Sequence, residues 1–504
     1  MKPTSFRLII PAIWISILAL FIFISCGQNR LKTDEKTLAK QILTEEEQLG
    51  RDAELLAERE KQLTDSIAKL PKGFRFKEDR SVDLNNPPVV IDIAGNRSNQ
   101  HKISLSQLFG KVEYIRLEQD PDSMFYEFSW FHEFKFHMIV GVHHIYTLSA
   151  LGGIFQFDLK GHFIQSICKG NLQYNSFKGG AVIGPEQINR FEGAQSVYWY
   201  DNKLHYQYEN RPEKKTYLMT FDDNVNSENS SVLLPGSVES KNQINGKGEI
   251  KAELKKNSSA LASPTPYMVN RNLLSFAPKR DMKHKTNFLN VISSSGDTLS
   301  VFKDNDPIKN FSKPHYREFD YGTNYYLNGT LHLRQSLNDT IYQLISPNRL
   351  VPKYILNFGS LGIKSTNEGV DPDINLKDKL VPRSFLETDR YLFITYSKDY
   401  DCPSTARNGT LKYSRLIYDK KNKTLKSIYI DEAPYVSEID QKHSAPNINL
   451  ENDFDGMPFI WPTSVTANGN PCSIISGEDL PKIKNQNLPV KNIRNNDRII
   501  AIYH

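Results

Sequence analysis

The sequence predicts an all-β fold of propeller type, and three observations predict it. The first is the stretch from His143 to Ile167. His144-Ile-Tyr-Thr-Leu148 alternates, Gly152-Gly153 interrupts it, and Ile154-Phe-Gln-Phe-Asp158 resumes the alternation. Leu159-Lys-Gly161 then turns the chain and His162-Phe-Ile-Gln-Ser-Ile167 runs back. Period-two runs of branched and aromatic residues, broken by glycine, read as antiparallel strands joined by hairpins. The second observation is that this grammar recurs to the end of the chain with no βαβ alternation between the units. The third is length, because 504 residues hold a repeated β-meander several times over.

The chain opens differently. Lys2 and Arg7 form a basic start, and Leu8 to Ile24 is apolar except for Pro11 and Ser16. Phe23-Ile-Ser-Cys26 follows, a lipobox-like pattern in which the thiol takes a diacylglyceryl group and becomes the first residue of the mature chain. Residues 1–25 therefore read as a lipoprotein signal peptide and Cys26 as the lipidation site. An uncleaved membrane anchor is the competing reading, since the apolar run is close to the length that spans a bilayer. Either way the chain is expected at the outer membrane or the periplasmic face of the envelope. No acidic cluster follows Cys26 to mark surface display.

Residues 26–73 read as a helical stalk or docking helix. From Thr33 to Leu70 glycine occurs once, at Gly50, and proline not at all; Ile42, Leu49, Leu56, Leu63 and Leu70 recur every seven residues. The companion positions Glu46, Ala53, Glu60 and Ile67 are only half apolar. A coiled coil needs both seams apolar, so a one-sided amphipathic helix is expected. Pro71-Lys-Gly73 stops it. Residues 74–86 read as a linker, and Val89-Val-Ile-Asp-Ile93 as a first strand.

From 87 to 504 one β-rich unit is expected. Ser196-Val-Tyr-Trp-Tyr200 turns at Asp201-Asn-Lys203 into Leu204-His-Tyr-Gln-Tyr208, and Lys215 to Phe221 follows. Phe288 to Ile292 pairs with Thr298 to Phe302. Tyr325-Tyr-Leu327 turns at Asn328-Gly329 into Thr330-Leu-His-Leu333, then Asp339 to Leu344. Asn-Gly is a strong hairpin signal because both residues tolerate positive φ. Tyr391 to Tyr396, Ser414 to Tyr418 and Thr424 to Ile428 continue the pattern. Residues 222–266, rich in Asn, Ser, Lys and Gly, read as a surface insertion.

The wording of several segments is family-like. Lys102-Ile-Ser-Leu-Ser-Gln-Leu-Phe109 with Val112-Glu-Tyr-Ile-Arg-Leu117 resembles the entry strand of the Bacteroidetes six-bladed β-propeller lipoproteins. Asn338-Asp-Thr-Ile-Tyr342 with Pro352-Lys-Tyr-Ile-Leu356 resembles their central blade. Phe385-Leu-Glu-Thr-Asp-Arg-Tyr-Leu-Phe393, Asp453-Phe-Asp-Gly456 with Phe459-Ile-Trp-Pro462, and Arg498-Ile-Ile-Ala-Ile-Tyr503 are similar to later blades. The resemblance implies six blades preceded by the N-terminal amphipathic helix. Six blades over 87–504 receive about 70 residues each, against about 40–50 in typical propeller repeats, so long loops are expected. Gly180-Ala-Val-Ile-Gly-Pro-Glu186 departs from the family's Gly-Pro-Gly-Glu loop. The family carries no settled activity, so no catalytic residue follows from it.

Chemistry-bearing patterns are few. The chain has no HExxH, GxSxG, P-loop or GxGxxG. The net charge of +5, to which Lys2 and Arg7 contribute two, argues against nucleic acid as a partner. The four cysteines, Cys26, Cys168, Cys402 and Cys472, lack metal-ligand spacing. Cys402 and Cys472 could pair in an oxidising compartment or stay as small buried thiols. His143 and His144 read as strand neighbours facing opposite ways, unable to chelate together.

The candidate ligand-binding residues are Trp461, Asp453, Asp455 and Arg390. Asp453 and Asp455 place two carboxylates at a Gly456 turn, which suits a hard cation or an Asx turn. Trp461 could stack on a sugar ring or fill a core. Arg390 precedes a strand, near a propeller face where loops carry function. No catalytic or metal-ligating set is assigned and no cofactor is expected. The function expected is a membrane-anchored binding or scaffold module for a glycan, peptide or partner protein of the envelope. The alternative is a propeller-type hydrolase or lyase with its site at the central channel.

Overall fold

A computed structural model describes most of residues 73–504 and a short stretch within 58–71; segments outside it include 119–136, 169–191, 234–265, 277–286, 312–322, 399–411, 429–449 and 478–487. The chain divides into two units, Met1–Lys72 and Gly73–His504. In the first, 61–68 is helical, and the rest of the predicted helix, with the signal region and Cys26, lies outside the described residues. Among the described residues no helix is long and apolar enough to cross a membrane.

The second unit is a β-propeller. Its entry segment carries β1 (Val89–Asp92), β2 (Ile103–Ser104) and β3 (Val112–Leu117). Sheet I is β4 (His137–Val140), β5 (His144–Leu148), β6 (Ile154–Asp158) and β7 (Phe163–Cys168). Sheet II is β8 (Glu192–Tyr200), β9 (Lys203–Asn210), β10 (Lys215–Asp222) and β11 (Ser227–Leu233). Sheet III is β12 (Pro266–Asn270), β13 (Leu273–Phe276), β14 (Asn287–Ser293) and β15 (Thr298–Lys303). After β16 (Ile308–Phe311), sheet IV takes β17 (Thr323–Leu327), β18 (Thr330–Arg334), β19 (Thr340–Ser346) and β20 (Arg349–Asn357). After β21 (Thr366–Val370), sheet V is β22 (Leu380–Glu387), β23 (Tyr391–Lys398), β24 (Lys412–Asp419) and β25 (Thr424–Ile428). After β26 (Leu450–Glu451), sheet VI is β27 (Ser464–Val465), β28 (Pro471–Ser476) and β29 (Arg498–Tyr503), with β3 as its outer strand.

The core explains why these sheets form a ring. Each buried cluster sits between neighbours. Ile145 and Phe157 of sheet I pack with Ile115 and Ile500 of sheet VI. Tyr146 and Ile154 pack with Leu204 and Phe221 of sheet II. Tyr198 and Leu218 meet Ile292 of sheet III, and Val291 and Phe302 meet Leu331 and Leu344 of sheet IV. Ile341 and Leu356 meet Leu392 and Leu416 of sheet V. Phe393 and Ile417 meet Ile475 and Ile499 of sheet VI. A strand with both faces buried loses its polar side, so β29 reads Arg-Ile-Ile-Ala-Ile-Tyr and is buried throughout. Pairing of β3 with β29, Leu117 opposite Arg498 and Val112 opposite Tyr503, joins the start of the unit to its end.

Three expectations change. Six blades are expected; five of the sheets are four-stranded blades, whereas sheet IV departs from that form with five strands, because β1 adds in parallel to β20 with Val89 opposite Tyr354. Residues 76–80 of the predicted linker are held to sheet edges. Phe76 N–H donates to Leu299 O at 2.7 Å, Lys303 N–H to the Glu78 carboxylate at 2.8 Å, and Asp79 bridges to Arg349. Outer strands offer unpaired backbone groups, and a passing segment satisfies them. Within the predicted insertion at 222–266, Ser227–Leu233 is the outer strand of sheet II, and 234–265 lies outside the described residues. Its polar Ser-Glu-Asn-Ser-Ser composition hid a strand whose backbone pairing with β10 decides its state.

One glycine is required at a contact between sheets I and VI. Gly161 has φ +90°, and a Cβ there would lie 2.1 Å from Arg116 O. Gly161 O also accepts Glu118 N–H at 2.7 Å. Gly161→Ala is expected to destabilise the propeller by at least ~1–3 kcal/mol from the backbone conformation alone. Urea unfolding followed by tyrosine fluorescence measures it.

Candidate functional site

In sheets I, IV and V the inner strand runs to a tight turn, the second returns, and the third runs back, so the first and third turns share one face. The first turns use residues that tolerate positive φ: Asp201 and Asn202 at 50° and 54°, Asn328 and Gly329 at 49° and 70°. Turns of neighbouring sheets meet there. Asn328 Nδ2 donates to Asp389 Oδ1 at 3.1 Å, and a Cβ on Gly469 would lie 3.4 Å from Asp389 Oδ2.

Beneath these turns, sheets IV and V enclose a charged cluster around Glu387, the last residue of β22. Its side chain has no exposed surface. Oε1 accepts three donors: Tyr354 OH at 2.6 Å, Lys420 Nζ at 2.9 Å and Lys353 Nζ at 3.1 Å. Oε2 accepts Tyr325 OH at 2.7 Å. Lys353 Nζ also donates to His332 Nε2 at 2.9 Å, and His332 Nδ1–H donates to Thr330 O at 3.0 Å. Tyr325 stacks on the His332 ring, centroids 4.9 Å apart. Strand geometry sets this up. Tyr325 and Glu387 come from the inner strands β17 and β22, Lys353 and Tyr354 from β20, and Lys420 from the turn after β24.

The electrostatics follow from burial. Burial alone would raise the Glu387 carboxyl, but the Lys353 and Lys420 ammoniums, with His332 and Tyr354, outweigh it and hold it at about 2. Burial pulls His332 down to about 4, and the Lys353 ammonium adds to the shift, so the ring is neutral at pH 7. Burial also lowers Lys353, against the pull of Glu387. Because both lysine nitrogens contact one oxygen, they lie no more than about 6 Å apart. Two such charges repel by about 3 kcal/mol at an effective dielectric of ~20. The cluster therefore sets the two lysines against the Glu387 carboxylate, with the exposed Asp389 carboxylate also acting on Lys353, and the lysine side chains are 25% and 19% exposed.

A second constellation joins sheets I and II. Asp223, after β10, accepts His144 Nδ1 at 2.7 Å, His143 N–H at 2.8 Å and the Tyr146 hydroxyl. Burial opposes ionisation, yet these hydrogen bonds hold Asp223 below the usual carboxylate range. An ionised Asp223 can only accept, so Nδ1 carries the His144 proton. His144 Nε2 is left as an acceptor without a protein partner among the described residues. His143 lies in the turn before β5 rather than in the strand, its ring 6.5 Å from that of His144.

The structure places the sequence-derived candidates elsewhere, and differently. Arg390 is exposed on the turn face, 4.9 Å over the Tyr391 ring and 3.4 Å from Asp419. Asp453 accepts Ser106 N–H at 3.0 Å and the Ser106 hydroxyl, holding the 3-10 turn Leu105–Gln107. Asp455 Oδ1 accepts Tyr114 OH at 3.1 Å, Asn452 Nδ2 at 2.8 Å and Met457 N–H at 3.0 Å. Trp461 is 6% exposed, edge-on to Phe393 at 5.4 Å with the Arg415 guanidinium over its ring. Among the described residues no three His, Cys, Asp or Glu side chains gather as a metal set. Asp453→Ala is expected to leave the metal content of the purified chain unchanged while loosening the Leu105–Gln107 turn. Mass spectrometry under native conditions and hydrogen exchange at 105–109 check both.

The aromatic strand β8 is a core element. Trp199, Tyr206 and Tyr208 pack toward sheet I, and Tyr198 and Tyr200 toward Tyr267 and Tyr326. Cys472 is a free thiol, which burial pushes up to about 12; Cys402 lies outside the described residues. Sequence reasoning missed Glu387, Lys353, Lys420, His332 and Asp223. Glu387 stands two residues after buried Phe385 on the same strand face, and that parity was the available signal.

A family model described as a domain of unknown function, DUF4933, matches residues 71–486. A crystal structure of a Bacteroides fragilis protein described as exported is similar at 11% identity and TM-score 0.48, covering 82% of this chain and 98% of that one. A DUF4221-family protein of Bacteroides vulgatus is similar at 7% identity and TM-score 0.40, covering 78% of this chain and 98% of that one. A sequence search of curated proteins finds no match.

Proposed function

We propose, from the premise that this chain belongs to the DUF4933 family, that it is a lipid-anchored envelope protein whose propeller is a binding or scaffold module. Sheet IV counts as a blade with β1 added, so the propeller has six blades. Cys26 carries the lipid after removal of 1–25, and the propeller faces the periplasm or the exterior. The ligand is a glycan, a peptide or an envelope protein. One observation carries the reading. Short turns from sheets IV, V and VI come together at Asp389, over a charged cluster. A preformed polar face on a rigid ring suits recognition.

The test is made in a Bacteroidetes host. A clickable fatty acid should label the full chain, and Cys26→Ala should abolish the label and shift the chain out of the membrane fraction. Glycan and peptide arrays then report binding. Label persisting on Cys26→Ala, or silent arrays, would count against the reading.

One observation favours a second reading, a hydrolase or lyase. Asp223 fixes the tautomer of a partly exposed His144 and leaves Nε2 to accept a proton, the arrangement of a general base. Turnover of an array ligand that disappears in His144→Gln, with binding retained, would promote this reading over the first.

A further inference from the structure

We propose that the propeller docks on the lipid bilayer through the outer rim of sheets III and IV, along residues 74–90. This rests on the reading of the chain as a lipid-anchored protein and adds which surface of the propeller meets the membrane. Three features of the segment lead there.

The first is where exposed apolar surface lies. Nine large apolar side chains are exposed among the described residues, and five of them, Phe74, Val82, Leu84, Val89 and Val90, fall in this one stretch. Single exposed apolar residues are ordinary, whereas a run of them marks an interaction site. The contacts of the stretch place it on the rim. Phe76 N–H donates to Leu299 O of β15, Leu350 N–H of β20 donates to Asp79 O, and β1 lies along β20. Strands β15 and β20 are the fourth strands of sheets III and IV, so the segment follows the side of the ring and not the turn face.

The second feature is rigidity. Leu84 is 89% exposed on a turn that is fixed from both sides. Asp83 Oδ1 accepts Asn85 N–H at 3.0 Å, its Oδ2 accepts Asn86 Nδ2 at 3.1 Å, and Asn86 N–H donates to Asp83 O at 3.2 Å. Pro87-Pro88 stiffens the exit, and pairing with β20 holds Val89 and Val90. Ahead of the turn, Arg80 donates to Lys303 O, with its guanidinium 5.9 Å from the centres of the Phe302 and Tyr342 rings. The apolar turn is held outward and loses little freedom on being covered.

The third feature is the tether, which names the bilayer as the occupant. The propeller unit begins at Gly73, and Phe74 is its first side chain. The stretch 74–90 is thus the part of the propeller nearest along the chain to the lipid proposed at Cys26. A tethered surface meets its partner at high effective concentration, so a few apolar side chains suffice. Arg75, Lys77 and Arg80 balance Glu78, Asp79 and Asp83 over the stretch, so attachment follows apolar burial and not headgroup charge. Docking by the rim leaves the turn face open to a ligand.

The experiment uses the lipidated full chain with Cys402→Ser, reconstituted into phosphatidylcholine vesicles that carry a nitroxide on the acyl chain. Cys168 and Cys472 are buried, which leaves an introduced cysteine as the labelling site. A fluorophore is placed on Asn85→Cys at the rim or, as the control, on Lys160→Cys in the turn between β6 and β7. Nitroxide lipid is expected to quench the label at 85 at least twofold and to leave the label at 160 unchanged. Leu84→Asp with Val90→Asp should abolish the quenching and keep the unfolding midpoint. Leu84→Asn alone is the second variant, for the case in which the pair does not fold, and should at least halve the quenching. Phosphatidylglycerol or high salt should change nothing. Equal quenching at 85 and 160, or quenching undiminished in the variants, would overturn the proposal. Quenching that needs phosphatidylglycerol would overturn its apolar basis. Self-quenching of the label in detergent in place of quenching by lipid would give the rim to a second copy and overturn the bilayer as occupant. Flotation on a density gradient reads the anchor separately. A chain that floats without quenching at 85 keeps the anchor and loses the docking. A chain that does not float loses the anchor, and the docking with it.

Discussion

Glu387→Gln should destabilise the propeller by about 3–5 kcal/mol, the cost of leaving buried charge without its partner. The substitution keeps the shape and removes the charge. It leaves Lys353 and Lys420 facing each other across a neutral amide, and it turns one acceptor into a donor. That donor must then point at Tyr325 OH or at the Tyr354 and lysine group, all of which now donate to Glu387. Both lysines are less than a third exposed, so solvent screens little of the effect. Equilibrium denaturation in urea measures it. Adding Lys420→Met to Glu387→Gln should recover part of the loss, because one unpaired ammonium goes with it. A Glu387→Gln chain as stable as the parent would show that the lysines find other partners, and the account of the cluster given above would fail.

The second large effect is expected from acid. His205 and His332 are both buried and neutral. Burial lowers His205 to about 4 against its ordinary 6.5, and burial with the Lys353 charge does the same to His332. Each ring already uses both nitrogens. His205 Nε2–H donates to Tyr200 O and Nδ1 accepts Thr220 Oγ1, while His332 donates to Thr330 O and accepts Lys353. The sign follows from which state binds the proton first. Below pH 6.5 the unfolded chain takes up protons that the folded chain refuses until about pH 4. Stability is therefore full above pH 6.5 and falls across that window, by up to about 3 kcal/mol for each histidine. Glu387, held at about 2 against an ordinary 4.5, adds a second loss as pH falls from 4.5 toward 2. Urea midpoints from pH 8 to pH 4 test this, and His332→Gln should flatten part of the upper window. A midpoint unchanged between pH 7 and pH 5 would contradict it.

Both predictions concern residues that gave little away in one dimension. Lys353 sits within Pro352-Lys-Tyr-Ile-Leu356 and Glu387 within Phe385-Leu-Glu-Thr-Asp-Arg390, each legible as a strand or its end. What joins them is the packing of sheet IV on sheet V. Periodicity reports the face a side chain takes, not the face it meets on another sheet. The same limit explains Asp453, whose Asp-x-Asp-Gly pattern carried a local meaning. Its partner, Ser106, lies 347 positions earlier. It explains Trp461 too, since one aromatic spelling serves a sugar platform and an interblade core equally well.

Strand content, most hairpin positions and the repeated meander were determined by the sequence alone. Alternation follows from the pleat, and turn type follows from local φ preferences at Asp201-Asn202 and Asn328-Gly329. These are short-range effects, encoded within a few residues. The tertiary structure alone decided that 76–80 lies pinned along sheet edges, that β1 joins sheet IV in parallel, that β3 completes sheet VI, and that Ser227–Leu233 is a strand. It also decided which charges meet. Backbone groups on an open edge, and charges left in a closing interface, must be satisfied by whatever chain arrives there, and arrival is a property of the whole ring.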